Sequence, residues 1–388
     1  MRILYSAIDQ VVPAPHGGSV HVTSVAEGLS ALGHEVHVLA SPAPTGPFPP
    51  GGVVWWPMSP PLGDRRLRLL RAPDVKRRAR ALKPDAIIER YYNFGGEGML
   101  AAREIGAVAV LEVNAPVVDP PGSIKPWIDR MLIVQPLRRW RDWQCRAADL
   151  IVTPSASILP ADVPPPRVLE TEWGADTDRF HPGARGNVPF SRHQGDTVAI
   201  FVSAFRAWHG AIHLVEAIRQ LRARGRRDIK AVLIGDGPEL SRVRQAAEGL
   251  EGVTLTGALP HSDIPASLAA ADIGVAPFDI AAHAPLRWEF YWSPLKIFEY
   301  MASGLPVIAP RIDRLTRIFR DGREGIFYDP TEPGSLALAL ERLADPSVRS
   351  GLGTAARDRA VDRFSWRSHC QALDRAIRLA RDANSDRH

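Results

Sequence analysis

Short apolar runs and amphipathic stretches alternate from the first residue. "RILYSAI" reads as a strand. Val22, Val25, Ala26, Leu29 and Leu32 then share one helical face, Gly33 ends that face, and "HEVHVLA" returns to a strand. "DAIIER", "AVAVLEVN" and "ADLIVTPS" repeat the strand signal, so residues 1–182 are expected to form one doubly wound parallel-sheet domain. Periodicity is lost over 183–196, where Pro, Gly and polar residues mark a linker. A second alternating series fills 197–360: "TVAIFVSA", "GAIHLVEAIRQLRARG", "IKAVLIGDGPE", "GVTLTGAL", a helix over 262–271, "DIGVAPF", "SPLKIFEYMASGLPVIA" and "GIFYDP". Arg349 to Arg381 reads as one helical stretch with Phe364 and Trp366 at its middle, and 361–388 is set apart as a terminal helical segment. The fold class is α/β, with two Rossmann-like domains whose ligands are expected at the carboxyl ends of the strands.

Composition narrows the class without changing that picture. The 388 residues, 45% hydrophobic and 23% charged, suffice for two cores. Cys145 and Cys370 give neither a disulfide framework nor a metal-binding spacing, which points to a reducing, cytoplasmic setting. No run approaches the ~18 apolar residues of a membrane span. The net charge of +5 is concentrated in "RRLRLLRAPDVKRRAR", Arg65 to Arg80. No aromatic stacking platform or DNA-binding helix accompanies it, so nucleic acid is not an expected partner. A solvated basic helix explains the run; so does a surface resting peripherally on anionic membrane.

Four stretches carry candidate chemistry. "PAPHGGSVH" places Gly17 and Gly18 between a strand and its helix, where bare backbone and free helix-start amides suit an anion; a plain turn explains them equally. "FVSAFRAWHG" offers Arg206 and His209 after the next domain's first strand, as phosphate-binding side chains or as a surface arginine beside a packing tryptophan. In "LIGDGPEL", Gly235 and Gly237 bracket an aspartate, in a nucleotide contact or a tight turn. In "YWSPLKIFEYMASGLPVIA", Ser293 is expected as N-cap and Pro294 at the first helical position. The amides of Leu295 and Lys296 are then free, with Glu299 leaning toward the same mouth. Free amides and Lys296 suit a diphosphate and Glu299 suits paired sugar hydroxyls, unless Lys296 and Glu299 simply form a surface ion pair. Gly304 is expected to end this helix in a left-handed conformation.

In this order the stretches, with "EWGADTDRFHP", "TGALPHSDIPASLAAADIGVAPF" and "FSW", resemble the retaining glycosyltransferases of family 4, over nearly the whole chain. The resemblance implies the GT-B fold of two facing Rossmann-like domains, with the terminal helix crossing back to the N-terminal one. It implies that Gly17 and Gly18 approach the donor diphosphate, and that Arg206 and Lys296 are the catalytic cations. His209, Gly235, Gly237, Ser293, Leu295 and Glu299 would complete the nucleotide-sugar site. His21, Arg90, Glu112 and Asn114 fall on the acceptor side, or form a strand-end hydrogen-bond network.

Three positions depart from the family pattern. Ala204 and His209 stand where relatives carry an Arg and a Lys, as in a variant branch reading F-basic-x-W-H-G. Tyr291 replaces the first glutamate of E-x7-E, leaving the donor sugar to nearby groups such as Glu289. The implied activity is sugar transfer, with retention, from a UDP-, GDP- or dTDP-sugar to an acceptor hydroxyl on a saccharide, a lipid-linked glycan or a small metabolite. No metal or other cofactor is expected. A nucleotide-sugar-binding GT-B protein without transfer activity is the alternative; an epimerase or phosphorylase fits less well.

Overall fold

The computed structural model describes every residue except 15, 45, 120–122, 124–126, 128–130, 132–134, 284–285, 287–289 and 386–388. The chain divides into two compact units. The first comprises Met1–Trp173, Tyr291–Ser293 and Trp366–His388, and the second Gly174–Phe290 and Pro294–Ser365. The passage from one to the other falls at Gly174, ahead of the 183–196 stretch read as a linker, which belongs to the second unit.

Unit 1 contains β1 (Arg2–Val12), α1 (Gly17–Ala31), β2 (Glu35–Pro42), β3 (Val53–Pro57), α2 (Ala72–Leu82), β4 (Ala86–Arg90), α3 (Glu97–Ile105), β5 (Val108–Glu112), α4 (Gln135–Ala147), β6 (Leu150–Thr153) and β7 (Val168–Glu170). The strands form one parallel sheet in the order β3-β2-β1-β4-β5-β6-β7. The strand order reverses between β1 and β4, the kind of point at which doubly wound sheets bind ligands. Burial on both faces explains the near-continuous apolar strands: Ile3, Leu4, Tyr5, Ala7 and Ile8 of β1 are all fully buried.

Unit 2 repeats the plan with β8 (Thr197–Val202), α5 (Ala211–Ala223), β9 (Ile229–Ile234), α6 (Leu240–Ala247), β10 (Val253–Gly257), α7 (Ile264–Ala269), β11 (Ile273–Val275), α8 (Leu295–Ala302), β12 (Val307–Pro310), α9 (Leu315–Ile318), β13 (Gly325–Tyr328), α10 (Ser335–Ala344) and α11 (Pro346–Arg363). Its parallel sheet runs β10-β9-β8-β11-β12-β13 and reverses between β8 and β11. Helices α5 and α10 contribute Leu214, Ile218, Leu221, Leu336 and Leu340 to a core shared with Phe201, Leu233 and Ile308 of the sheet.

The helical stretch expected over 349–381 is broken at Phe364 and Ser365. There the Phe364 carbonyl accepts from Ala175 N (2.7 Å) and Ser365 bridges to Ala175, so strand-like pairing replaces a helical turn. Beyond the break, α12 (Trp366–Ser385) belongs to unit 1 and buries Trp366, His369, Cys370, Leu373 and Ile377, one stripe at helical spacing. The Cys370 thiol lies 3.8 Å from Val25 O of α1.

The basic run is also not what charge alone suggests. Arg68 has no exposed surface and reaches Asp9 (2.6 Å), Glu97 and Glu89 (3.3 Å), which hold its guanidinium charged although burial opposes the charge. Arg66 pairs with Asp64, Arg71 and Arg77 with Asp74, and Lys76 and Arg80 with Glu104. Arg65 and Arg78 lie over the rings of Tyr92 and Trp56. Arg68 is thus withdrawn from the surface, and the other seven cations of the run face three carboxylates, Asp64, Asp74 and Glu104.

Candidate active site

The site in unit 2 is assembled where its strand order reverses. β8 ends at Val202, whose amide donates to the Tyr300 hydroxyl of α8 (2.8 Å). The chain then passes through Ser203 and Ala204 into a short turn at Ala207–His209. This segment packs against the loop after β9: Ser203 N donates to Ile234 O (3.0 Å), Phe205 N to Asp236 O (2.8 Å) and Glu239 N to Phe205 O (2.8 Å). That contact explains Gly235 and Gly237. Their φ angles are +138° and +151°, and a Cβ would lie 1.9 Å from Ser203 O at the first and 2.7 Å from Phe205 N at the second. Both glycines are required by loop-against-loop packing. Gly235→Ala is expected to destabilise the protein by about 2 kcal/mol or more, read from the shift in its urea midpoint.

Helix α8 begins differently from the expected pattern. Pro294, not Ser293, is its N-cap, without a side-chain capping bond. The Ser293 hydroxyl instead donates to Glu172 (2.6 Å) and accepts from Trp173 N (3.0 Å), all three residues lying in unit 1. The amides of Leu295 and Lys296 have no acceptor among the described residues, the first hydrogen bond of the helix being Ile297 N to Pro294 O (2.8 Å). Gly304, with φ +76°, ends the helix: its N–H reaches Met301 O (3.0 Å) and Leu305 N reaches Tyr300 O (3.0 Å), a Schellman closure.

Lys296 is enclosed rather than solvated, although the residue keeps partial exposure. Its ammonium lies 4.9 Å and 4.8 Å from the ring centroids of Phe201 and Phe278, and donates to Ser203 Oγ (2.8 Å). Among the described residues no carboxylate lies within ion-pair distance of it. Burial pulls its pKa down to about 7, with Glu299 acting weakly in the opposite direction. The expected surface ion pair of Lys296 with Glu299 is absent. Glu299 Oε1 instead has His261 Nε2 at 3.9 Å.

His209 Nδ1 lies 2.8 Å from Ser203 Oγ and also contacts Ala204 O. Burial first, then the charge on Lys296, pulls its imidazole down to about 3, so it is neutral at physiological pH. Arg206 is exposed, its guanidinium 5.3 Å from the Trp208 ring centroid, with no ion-pair partner among the described residues. Unit 2 therefore brings together Ser203, Arg206, His209, Lys296, Glu299 and two free amides. Ser203, Phe201, Phe278 and His261 were not singled out in the sequence.

In unit 1, Gly17 and Gly18 open α1 immediately after β1, with His16 as N-cap accepting from Ser19 N (3.2 Å). His21, Arg90, Glu112 and Asn114 do converge, but around a buried carboxylate. Glu112 accepts from Tyr5 Oη and from Asn114 Nδ2 (2.7 Å), with His21 Nε2 in ion-pair contact and Arg90 Nη1 at 3.7 Å. Trp173 Nε1 donates to Asn114 Oδ1 (3.0 Å), and its ring lies tilted against that of His21, centroids 4.4 Å apart. Burial alone would raise the Glu112 pKa; His21, Arg90 and Tyr5 outweigh it and hold the carboxyl well below the usual range. Burial holds His21 below its usual range, against the pull of the Glu112 charge.

Glu112 and His21 are 5% and 1% exposed, whereas Arg90 and Asn114 are only partly buried. Tyr5 and Trp173 complete the network and were not anticipated. Tyr291, buried in unit 1 beside Trp292, offers no carboxylate in place of the glutamate it replaces. Glu289 lies outside the described residues.

Both units match family models: Glycosyltransferase Family 4 over residues 15–159 and Glycosyl transferases group 1 over residues 196–345. The chain belongs to the family 4, group 1 glycosyltransferases, and its two parallel-sheet units are those of the GT-B fold. Among curated relatives, a GDP-mannose-dependent alpha-(1-6)-phosphatidylinositol monomannoside mannosyltransferase of Mycolicibacterium smegmatis is 30% identical over 54% of this chain and 56% of that protein. The chain thus spans about half the length of that relative. Alpha-maltose-1-phosphate synthase of the same organism is 25% identical over 91% of this chain and 93% of its own. Among solved structures, Anabaena HepE in complex with UDP-glucose superposes with a TM-score of 0.68 at 17% identity, covering 98% of this chain and 100% of that one. Sucrose-phosphate synthase of Thermosynechococcus elongatus gives 0.69 at 19%, covering 98% and 99%. At these identities the structural likenesses speak for the fold.

Proposed function

We propose that this protein transfers a sugar, with retention of configuration, from a nucleoside-diphosphate sugar to an acceptor hydroxyl. The observation that carries the reading is Lys296: an enclosed ammonium with no acidic partner among the described residues, at the mouth of a helix whose first two amides have no acceptor among them. Such a pocket lacks an anion, and a diphosphate supplies one together with oxygens for both amides.

In the proposed reaction the acceptor oxygen attacks the anomeric carbon from the face that the diphosphate leaves, and a phosphate oxygen takes its proton. The bond to the leaving oxygen breaks with its electron pair going to the diphosphate. Lys296, the Leu295 and Lys296 amides and exposed Arg206 stabilise that growing charge, so the reading calls for no metal. Glu299, with two acceptor oxygens, takes the ribose hydroxyls. Within unit 1, Arg90 and Asn114, gathered around Glu112, are the residues read as acceptor contacts. The names of the relatives favour a GDP- or UDP-linked hexose as donor and leave the acceptor open among saccharides, lipid-linked glycans and small metabolites.

Glu299→Ala is expected to weaken nucleotide-sugar binding about tenfold or more while the melting temperature stays within a few degrees. Calorimetric titration of both proteins measures this, and unchanged affinity removes Glu299 from the site. A binding protein without transfer activity is the second reading, favoured by Ala204, where relatives carry a cation, and by buried Tyr291. Nucleotide release from the donor in the presence of a panel of hydroxyl acceptors separates the two.

A further inference from the structure

His209 stands where family members carry a lysine, yet its surroundings do not make it a substitute cation. Its Nδ1 contacts Ala204 O, a carbonyl that can only accept, so Nδ1 must carry the ring's hydrogen. The same Nδ1 faces Ser203 Oγ, which already accepts from Lys296 Nζ. With the one hydrogen of Nδ1 directed to Ala204 O, Ser203 Oγ accepts from Lys296 Nζ, and its own O–H, which finds no acceptor on the protonated Nδ1, is left to donate outward. In the neutral ring the second nitrogen, Nε2, is then an unprotonated acceptor, and it has no partner among the described residues.

The groups around this pair are cations and rings. Lys296 comes from α8, Arg206 from the same loop, Trp208 at 5.6 Å precedes it and Phe278, at 6.5 Å, follows β11. None of them can satisfy Nε2 from the protein side, since no described donor lies within hydrogen-bond distance. Ionised phosphate oxygens offer no hydrogen either, so Nε2 would repel the diphosphate that Lys296 attracts. On a nucleoside-diphosphate sugar the groups that do offer hydrogens are hydroxyls and base N–H, and the ribose hydroxyls are assigned above to Glu299.

We propose that His209 is a donor-specificity residue whose Nε2 accepts a hydrogen bond from a hydroxyl of the transferred sugar, while the Ser203 hydroxyl donates to the diphosphate. The inference rests on the donor reading given under the proposed function. It supplies unit 2 with a sugar contact of its own and accounts for a histidine where a lysine would serve only the phosphates. Burial and the neighbouring Lys296 keep the imidazole uncharged throughout the physiological range.

The test is calorimetric titration of wild type, His209→Ala, His209→Gln and His209→Lys with UDP- and GDP-linked glucose and mannose, and with free UDP and GDP. Loss of one hydrogen bond should weaken the bound nucleotide sugar about 5- to 10-fold in His209→Ala, and the matching free diphosphate less than about twofold. His209→Gln, whose carbonyl oxygen can accept, should recover part of the loss; His209→Lys should not. An equal loss for sugar-linked and free nucleotide, or full recovery by lysine, overturns the proposal and makes His209 a phosphate ligand. A wild-type protein that binds none of these ligands refutes the donor reading itself, before any variant is compared.

Discussion

Lys296→Met is expected to lower turnover by about 100-fold or more and, below pH 7, to make the protein more stable. The first effect follows from removing an enclosed cation from the place where diphosphate charge grows. The second follows from what that cation costs the empty protein: the ammonium is held between Phe201 and Phe278 with one neutral hydrogen-bond partner. The folded-state pKa is lowered to about 7, whereas the ordinary value is 10.5. Between those two pH values the unfolded chain binds more protons than the native one, so wild-type stability rises with pH through that window. Below it both states carry the charge, and the burial penalty is fully present.

The methionine variant lacks that penalty. Its advantage should be greatest at pH 6, on the order of 1–3 kcal/mol, and should fade as pH climbs toward 10. Thermal unfolding of both proteins across this range measures it; a variant less stable at pH 6 than at pH 9, relative to wild type, would contradict the enclosed-cation account. Binding a diphosphate should reverse the lysine's depression. At pH 8 calorimetric titrations in buffers of different ionisation heat should therefore reveal proton uptake on nucleotide binding, absent in Lys296→Met.

Glu112→Gln is expected to be the most destabilising single change in unit 1, by about 3 kcal/mol or more. The substitution keeps the shape of the side chain but turns one oxygen into an NH2 group facing donors. Tyr5 and Asn114 give hydrogens to this carboxylate, and His21 and Arg90 lose their charge partner. Urea unfolding followed by tryptophan fluorescence reports on Trp173, which leans on the network through Asn114 and His21. A midpoint unchanged from wild type would mean that the network contributes nothing to holding Arg90 and Asn114. Because Glu112 is buried, the variant's stability loss should exceed that of Asn114→Ala, at the more exposed rim.

What was legible in the sequence was local. Strand and helix alternation, the glycine that ends α8, the free amides of Leu295 and Lys296 and the placement of Lys296 and Glu299 on one helix follow from spacing within a few residues. Partnerships set by the sheets were not legible. Tyr5 and Glu112 are 107 positions apart and meet because β4 pairs with both β1 and β5 and so sets their strands on either side of it. Arg68 sits in a run that looks like a solvated helix, yet Asp9 of β1, Glu89 of β4 and Glu97 of α3 draw it inside.

Ser293 shows a different failure. Ser-Pro before an apolar run is a sound helix-start pattern, but Glu172 and Trp173 capture the serine hydroxyl and leave Pro294 at the cap. His209 was legible as a residue and not as a charge state, because burial and the Lys296 ammonium decide that state.

The central claim is that unit 2 binds a nucleoside-diphosphate sugar through Lys296 and the start of α8. Equilibrium titration of UDP-, GDP- and dTDP-sugars into wild type and Lys296→Met at pH 7 tests it most directly. The account predicts that wild type binds at least one of them and that the variant binds it about tenfold more weakly or worse. Equal affinity in the two proteins, or no binding of any nucleotide sugar to wild type, would contradict it.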